Sequence, residues 1–461
     1  LRVLLPSLLL LSGPAMAAGL DGAALSLAWV LPFAGLLLSI AILPLLWPRV
    51  WHRHYGKLAA GWAGLLLLPL AALLGPAGVA AQLLHIALQE YLPFIALLLA
   101  LYTTGGGVLM TGSLVGTPAT NTALLALGTA LASVMGTTGA SMLLIRPMLR
   151  ANALRTPTTH LFVFFILLVS NIGGALTPLG DPPLYLGFLA GVAFFWPAQH
   201  LAAPFLLCAL LLLAAFYLID RRAWAREAPE AAAIAPRRPG LQGSANLGLI
   251  LLVVAAVVAQ GVWRPGDVTI LGERLGLERL LPMLLFAAIT LASWRLTPRR
   301  VHEANDFGWA AMLEVAKLFA AIFICMAPVL AILQAGPMGP PPRLVALTTD
   351  AQGQPIPWVY FWLTGALSAF LDNAPTYLVF FNLAGGDAAW LMADGARVLA
   401  AISAGAVFFG AMTYIGNAPN FLVLAMATQG GVHMPGFFGY LGWACVLLLP
   451  LFSLVTMLFF I

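Results

Sequence analysis

The chain has 461 residues, of which 62% are hydrophobic and only 8% charged, against about 25% charged in an ordinary soluble domain. At a mean hydropathy of +0.99 the apolar residues cannot be confined to one core and must face lipid, which excludes a soluble enzyme, a nucleic-acid binder and a disordered scaffold. The net charge of +5 is therefore a matter of placement along the membrane.

Residues 1–18 read as a secretory signal peptide, with Arg2 at the start, an apolar stretch over 4–11 and a small-x-small site at 15–17. An uncleaved first anchor is the alternative. Apolar runs follow at 25–47, 58–75, 92–112, 160–196, 201–219, 245–263, 280–296, 309–334, 396–428 and 436–460. About 20 apolar residues cross a bilayer as a helix. Two further runs, 118–145 and 357–384, are broken in the middle by Gly136-Thr137-Thr138-Gly139 and Asp372-Asn373-Ala374-Pro375. Cys208, Cys325 and Cys445 each sit inside an apolar run and read as packing residues.

Orientation follows Lys and Arg in short loops. Fourteen of the 21 basic residues fall in four clusters, at 49–57, 146–155, 221–238 and 295–300. All four reach the cytoplasm only if the two broken runs are re-entrant hairpins that enter and leave on one side. That places the start of the mature chain and its C-terminus in the periplasm. The stretch 220–244 reads as a charged, solvated linker, and the helix at 245–263 as a connector between two halves.

The halves repeat. Residues 175–186 (ALTPLGDPPLYL) align with 411–422 (AMTYIGNAPNFL) at an offset of 236, with Asp181 opposite Asn417. At the same offset Ala130-Leu131 meets Ala366-Leu367, just before the two hairpin tips. With the topology above, the repeats are inverted. Inverted repeats interrupted by Gly and Pro at matching places point to a secondary transporter with its site at the repeat interface. The expected organisation is a first helix and loop over 19–57, repeat 1 over 58–219, linker and connecting helix over 220–279, and repeat 2 over 280–461.

Broken helices expose backbone that is tolerated only in a protein-lined or watery site. Their ends can coordinate cations through carbonyls or attract anions through N–H groups. Nearby side chains add candidate ligands: Ser170, Asn171, Thr177, Asp181, Thr413, Asn417 and Asn420, with Thr137, Thr138, Ser141, Asp372 and Asn373 at the hairpin tips. Gly and Pro can also serve only to permit close packing or a kink. Four acids fall inside apolar runs: Glu90, Asp181, Glu314 and Asp372. Glu314 and Lys317 are spaced to pair on one helix, and Glu90 reads as interfacial. Asp181 and Asp372 sit at breaks, where an intramembrane carboxylate is a functional candidate. Each could hold H+ or a transported Na+, seldom both. Asp372 could instead cap the second hairpin arm. His160 and His200 read as interfacial. No catalytic triad, phosphate-binding loop or zinc motif appears, so neither an enzyme nor a cofactor is expected.

These motifs carry a resemblance. Residues 371–375 (LDNAP) resemble the LDN-x-P element of D-type sodium:proton antiporters and arsenite efflux channels, and 170–174 (SNIGG) with 177–183 (TPLGDPP) is similar to the same branch of the ion transporter superfamily. Residues 120–196 resemble sodium:proton antiporters and CitMHS-like citrate transporters. The resemblance implies an all-α polytopic fold with inverted-topology repeats, two re-entrant hairpins and two broken transmembrane helices. It also implies a sodium site at each hairpin tip, elevator-like alternating access, a homodimer and a place in the bacterial inner membrane. The carboxylate symporters of that superfamily carry Ser-Asn-Thr at both tips. This chain departs from that pattern, which favours Na+ (or Li+) exchange for H+. Sodium-coupled uptake of citrate or a dicarboxylate, or a metalloid-anion channel subunit, are the alternatives. The expected partners are the lipid bilayer, Na+ and H+, with a small carboxylate under the second reading.

Overall fold

The computed structural model describes residues 20–226, 237–335 and 347–461; the signal-peptide reading falls outside them. Eight helices among the described residues are long and apolar enough to cross a membrane, and the chain is a polytopic membrane protein.

The first helices are α1 (Leu31–Leu46) and α2 (Pro48–Ile86). At about 1.5 Å per residue, α2 would far overrun a 30 Å bilayer core. It breaks at Gly75, before Pro76, where the backbone leaves helical geometry. The chain then runs on through a π-helical turn (Ala87–Tyr91) into α3 (Leu92–Gly106). The next span therefore starts earlier than hydropathy alone suggests. It also stops earlier, because Leu109–Ser113 is a strand, β1, paired antiparallel with β2 (Arg237–Gln242).

Two helix pairs then fold back on themselves. In hairpin 1, α4 (Pro118–Met135) packs against α5 (Thr137–Ala151), with Gly136 at the tip in the left-handed region (φ 80°) that favours glycine. The following segment holds α6 (Thr159–Leu168), a 3-10 turn (Ile172–Gly174) and α7 (Pro182–Leu189), so the run at 160–196 is interrupted as its Gly/Pro content dictates. Residues 161–169 are all fully buried. A helix apolar all round belongs inside the protein, and α6 is too short to cross lipid alone.

After α8 (Trp196–Trp224) come α9 (Ala245–Val262), a β3–β4 pair (Asp267–Ile270 and Glu273–Gly276), α10 (Leu277–Leu296), α11 (Arg299–Ala304) and α12 (Trp309–Gln334). Hairpin 2 is α13 (Pro357–Phe370) packed on α14 (Asn373–Leu383). A short α15 (Ala388–Met392) leads into α16 (Ala396–Phe409), and after a break into α17 (Ala418–Gln429). The last helix, α18 (Phe437–Val455), ends in a π turn (Thr456–Phe460).

One group of helices, α1, α2 and α12, packs together, and α3, α9 and α10 form another. A polar node ties the second: Asn246 donates to the Gly107 carbonyl (2.9 Å) and Thr297 Oγ1 (2.9 Å), and accepts from Ser293 (2.6 Å). Glu314 and Lys317 do not form the expected pair. Glu314 accepts from Trp51 Nε1 at 3.1 Å, and Lys317 Nζ lies 5.5 Å over the Tyr55 ring. Aromatic side chains on α2 reach these groups first. Cys208 and Cys325 are buried as expected, while Cys445 is half-buried.

Candidate functional site

The two breaks share a pair of hydrogen bonds, and Thr413 accepts one more, from the Gly416 N–H at 3.1 Å. Thr177 Oγ1 donates to the Ser133 carbonyl, and 236 residues on Thr413 Oγ1 donates to the Ala369 carbonyl. Each hydroxyl also accepts a backbone N–H two residues later, from Leu179 and Ile415, both at 3.2 Å. A Cβ on Gly180 would meet the Gly174 carbonyl oxygen at 2.2 Å, and one on Gly416 the Gly410 oxygen at 2.7 Å. The internal match thus marks positions where the backbone turns on itself too tightly for a side chain.

Both turns end at a helix start. Asp181 is the N-cap residue of α7 and Asn417 that of α17, in similar extended conformations. Neither side chain caps its own helix. They meet instead: Asn417 Nδ2 donates to Asp181 Oδ1 at 3.0 Å. Thr137, first in α5, donates to the same oxygen at 3.2 Å, and Asn373, first in α14, donates to Oδ2 at 2.5 Å. A buried carboxylate of the N-terminal half is thereby held by one residue of its own half and two of the other. Asp181 is 1% exposed.

A carboxylate offers about four acceptor positions. Three are filled by neutral donors, and among the described residues none fills the fourth, on Oδ2, which can take a proton or a cation. None of these donors is basic. The starts of four helices, α5, α7, α14 and α17, converge here, each carrying roughly half a positive charge. They offset the carboxylate charge without an ion pair.

A second layer holds the donors. Asn417 Nδ2 is also 3.2 Å from the Ser170 carbonyl and from Asn171 Oδ1. Asn171 donates to Asn420 Oδ1 and to the Ile166 carbonyl, both at 2.8 Å. Asn420 donates to the carbonyls of Gly410 and Thr413, both at 2.8 Å. Ser141 and Ser170 share a hydrogen bond of 3.0 Å. So nine of the twelve candidates form one buried network. Thr177 builds the first break but does not touch the carboxylate. Thr138 is half-buried and is not among the donors to Asp181. Asp372 is half-buried and caps α14, accepting from the Ala374 N–H at 3.1 Å; its neighbour Asn373 makes the contact with Asp181.

Sequence reasoning missed Ser133, whose hydroxyl donates to the Gly173 carbonyl at 2.5 Å and fastens the first break to hairpin 1. It also missed a second buried charge. Asp220 is fully buried at the end of α8, where the linker reading had it solvated, and His160, read as interfacial, is 5% exposed beside it.

A protein-family profile described as "Putative citrate transport" matches residues 22–460. The chain belongs to this family. Similar curated proteins include an uncharacterized transporter of Mycobacterium tuberculosis and one of Mycobacterium bovis. Each is 28% identical over 338 residues, covering 68% of this chain and 71% of the relative. Membership makes this chain a transporter of the citrate-transporter family.

Proposed function

We propose that the chain is a secondary active transporter of the inner membrane that exchanges Na+ (or Li+) for H+ by alternating access, with Asp181 carrying either ion. One observation carries this reading: a fully buried carboxylate at a helix break, held by three neutral donors from both halves, with one acceptor position left open. An intramembrane acid without a basic partner marks an ion pathway by default. Oxygen-rich surroundings suit a hard cation, and the Ser170 and Gly180 carbonyls and the Thr137 hydroxyl lie in the same network. A proton and Na+ compete for one position, which is the minimum that exchange requires. In this reading the halves are inverted repeats and the hairpins are re-entrant. The hydrogen bonds repeated at the 236-residue offset support that arrangement. Asp372 adds a second negative charge at the same tip.

The test is the purified protein in liposomes with a trapped pH dye, given external Na+ with and without citrate. Na+ alone should move protons, and Asp181→Asn should abolish the response while leaving expression intact. Asp372→Asn keeps a good N-cap, so it removes charge without removing the fold. A loss in that variant assigns Asp372 to the ion site, and unchanged exchange leaves it a cap.

A second reading, sodium-coupled uptake of citrate or a dicarboxylate, is favoured by family membership and by the four helix N-termini, which attract anions. It predicts no response to Na+ alone and citrate uptake driven by a sodium gradient.

A further inference from the structure

The hairpins differ where the breaks agree. Both feet of hairpin 1 are tied to one carboxylate. Asn121, in the first turn of α4, donates to Asp220 Oδ2 and to Asn152 Oδ1, both at 3.0 Å. Arg155, just beyond α5, donates to Asp220 Oδ1 at 2.6 Å, to Oδ2 at 3.3 Å and to the Gly116 carbonyl at 2.7 Å. His160 Nε2 lies 2.9 Å from Asp220 Oδ1. At positions 236 residues on stand Pro357, Ala388, Leu391, Ala396 and Thr456, which cannot build such a knot. Among the described residues no ion pair holds hairpin 2. Its base is tied by neutral groups instead: Gln334 donates to Asn382 at 2.9 Å, the Tyr360 hydroxyl to the Leu383 carbonyl at 3.4 Å, and Trp362 to Thr456 at 3.0 Å.

The tips differ too. Met135, Gly136 and Thr137 are buried, and the Thr137 N–H donates to the Gly180 carbonyl at 2.9 Å. In hairpin 2 the matched Leu371 and Asp372 are half-buried, whereas Asn373 is as buried as Thr137, and Val134 and Phe370 just before the two tips are exposed alike. The bond from Asn373 to Asp181 joins this tip to the carboxylate.

We propose that hairpin 1 is a fixed wall of the Asp181 site, clamped through Asp220, and that hairpin 2 is its moving cover, with Asn373 sensing what Asp181 holds. An ion on Asp181 alters the acceptor that Asn373 meets, so occupancy and closure are linked through one bond. Asp220 and Asn373 act as positioning residues. The inference rests on Asp181 being the occupied group of the proposed transporter.

Hydrogen exchange of the full chain in lipid nanodiscs tests it, in NaCl against choline chloride and again with citrate added. Peptides from Asn373–Leu383 should slow about tenfold on ligand binding, and those from Thr137–Ala151 by less than about twofold. Equal responses, a response of hairpin 1 alone, or no response to either ligand would overturn the proposal. Asn373→Ala should remove the response of hairpin 2 and leave hairpin 1 unchanged; a retained response rejects Asn373 as the sensor. Asn121→Ala, milder than any change at Asp220, should speed exchange in Thr137–Ala151 about tenfold. No change there rejects the clamp. Closure of hairpin 2 by citrate but not by Na+ keeps the cover and rejects Na+/H+ exchange. Na+-driven flux with equal hairpins keeps exchange and rejects the cover.

Discussion

The two halves of the molecule agree at their breaks and diverge at the bases of their hairpins. Thr177 and Thr413, Gly180 and Gly416 do the same work at matching positions. At the bases, the first half has a charged knot around Asp220. The second has aromatic packing in the same region: Phe361 lies 6.0 Å from Phe452 and 5.0 Å from Phe460, and Trp362 donates to Thr456 at 3.0 Å. The site itself is also unequal, because only one member of the matched pair Asp181 and Asn417 is charged. The two side chains touch, so two acids there would repel while an acid and an amide bond. Matched turns can keep the same hydrogen bonds, but two matched residues that touch each other cannot both be acids.

The largest effect should come from the charged base. Asp220→Ala removes the carboxylate that Arg155, Asn121 and His160 share, and breaking a buried pair costs about 3–5 kcal/mol. The matched change, Thr456→Val, removes the hydrogen bonds from Trp362 and to the Phe452 carbonyl and should cost about 1–2 kcal/mol. Thermal unfolding of both variants in detergent measures the contrast. Similar losses would mean that the bases are equivalent despite their chemistry. Next in size is Asn417→Asp, which sets two carboxylates where an amide now donates. A repulsion of about 2.8 kcal/mol corresponds to roughly a hundredfold loss, read as ion flux in liposomes. Retained flux would show that the two sites do not need to differ.

Much of the fold was legible because its signals are local. Clustered Gly and Pro break a helix where a single Pro, as at Pro204 or Pro328, does not, so the interruptions near Gly173 and Gly416 could be read directly, and Asp181 stood out as a charge in an apolar run. Asp220 did not. It closes an apolar run beside Arg221 and Arg222 and looks like the start of a loop, and its partners Asn121, Arg155 and His160 lie far away in sequence. The relative weight of the two acids was also hidden. Asp372 had the more suggestive motif, but the folded chain turns Asp372 onto its own helix and brings Asn373 to Asp181. The expected Glu314–Lys317 pair failed for the same reason: spacing along one helix says nothing of Trp51 and Tyr55 on another.

The smallest predicted effect tests the agreement rather than the divergence. Thr177→Val and Thr413→Val each remove a hydroxyl that donates to the hairpin carbonyl and accepts an N–H two residues on. Each should cost about 1–2 kcal/mol, since a buried N–H and a carbonyl lose partners without a charge being stranded. The loss at Thr413, which also accepts from Gly416, should be equal or slightly larger, and the two should add in the double variant if the contact of Asp181 with Asn417 does not couple the breaks. A larger loss at Thr177 would show that the matched hydrogen bonds carry different loads. A double loss well short of the sum would mean that the breaks, joined through Asp181 and Asn417, loosen as one unit.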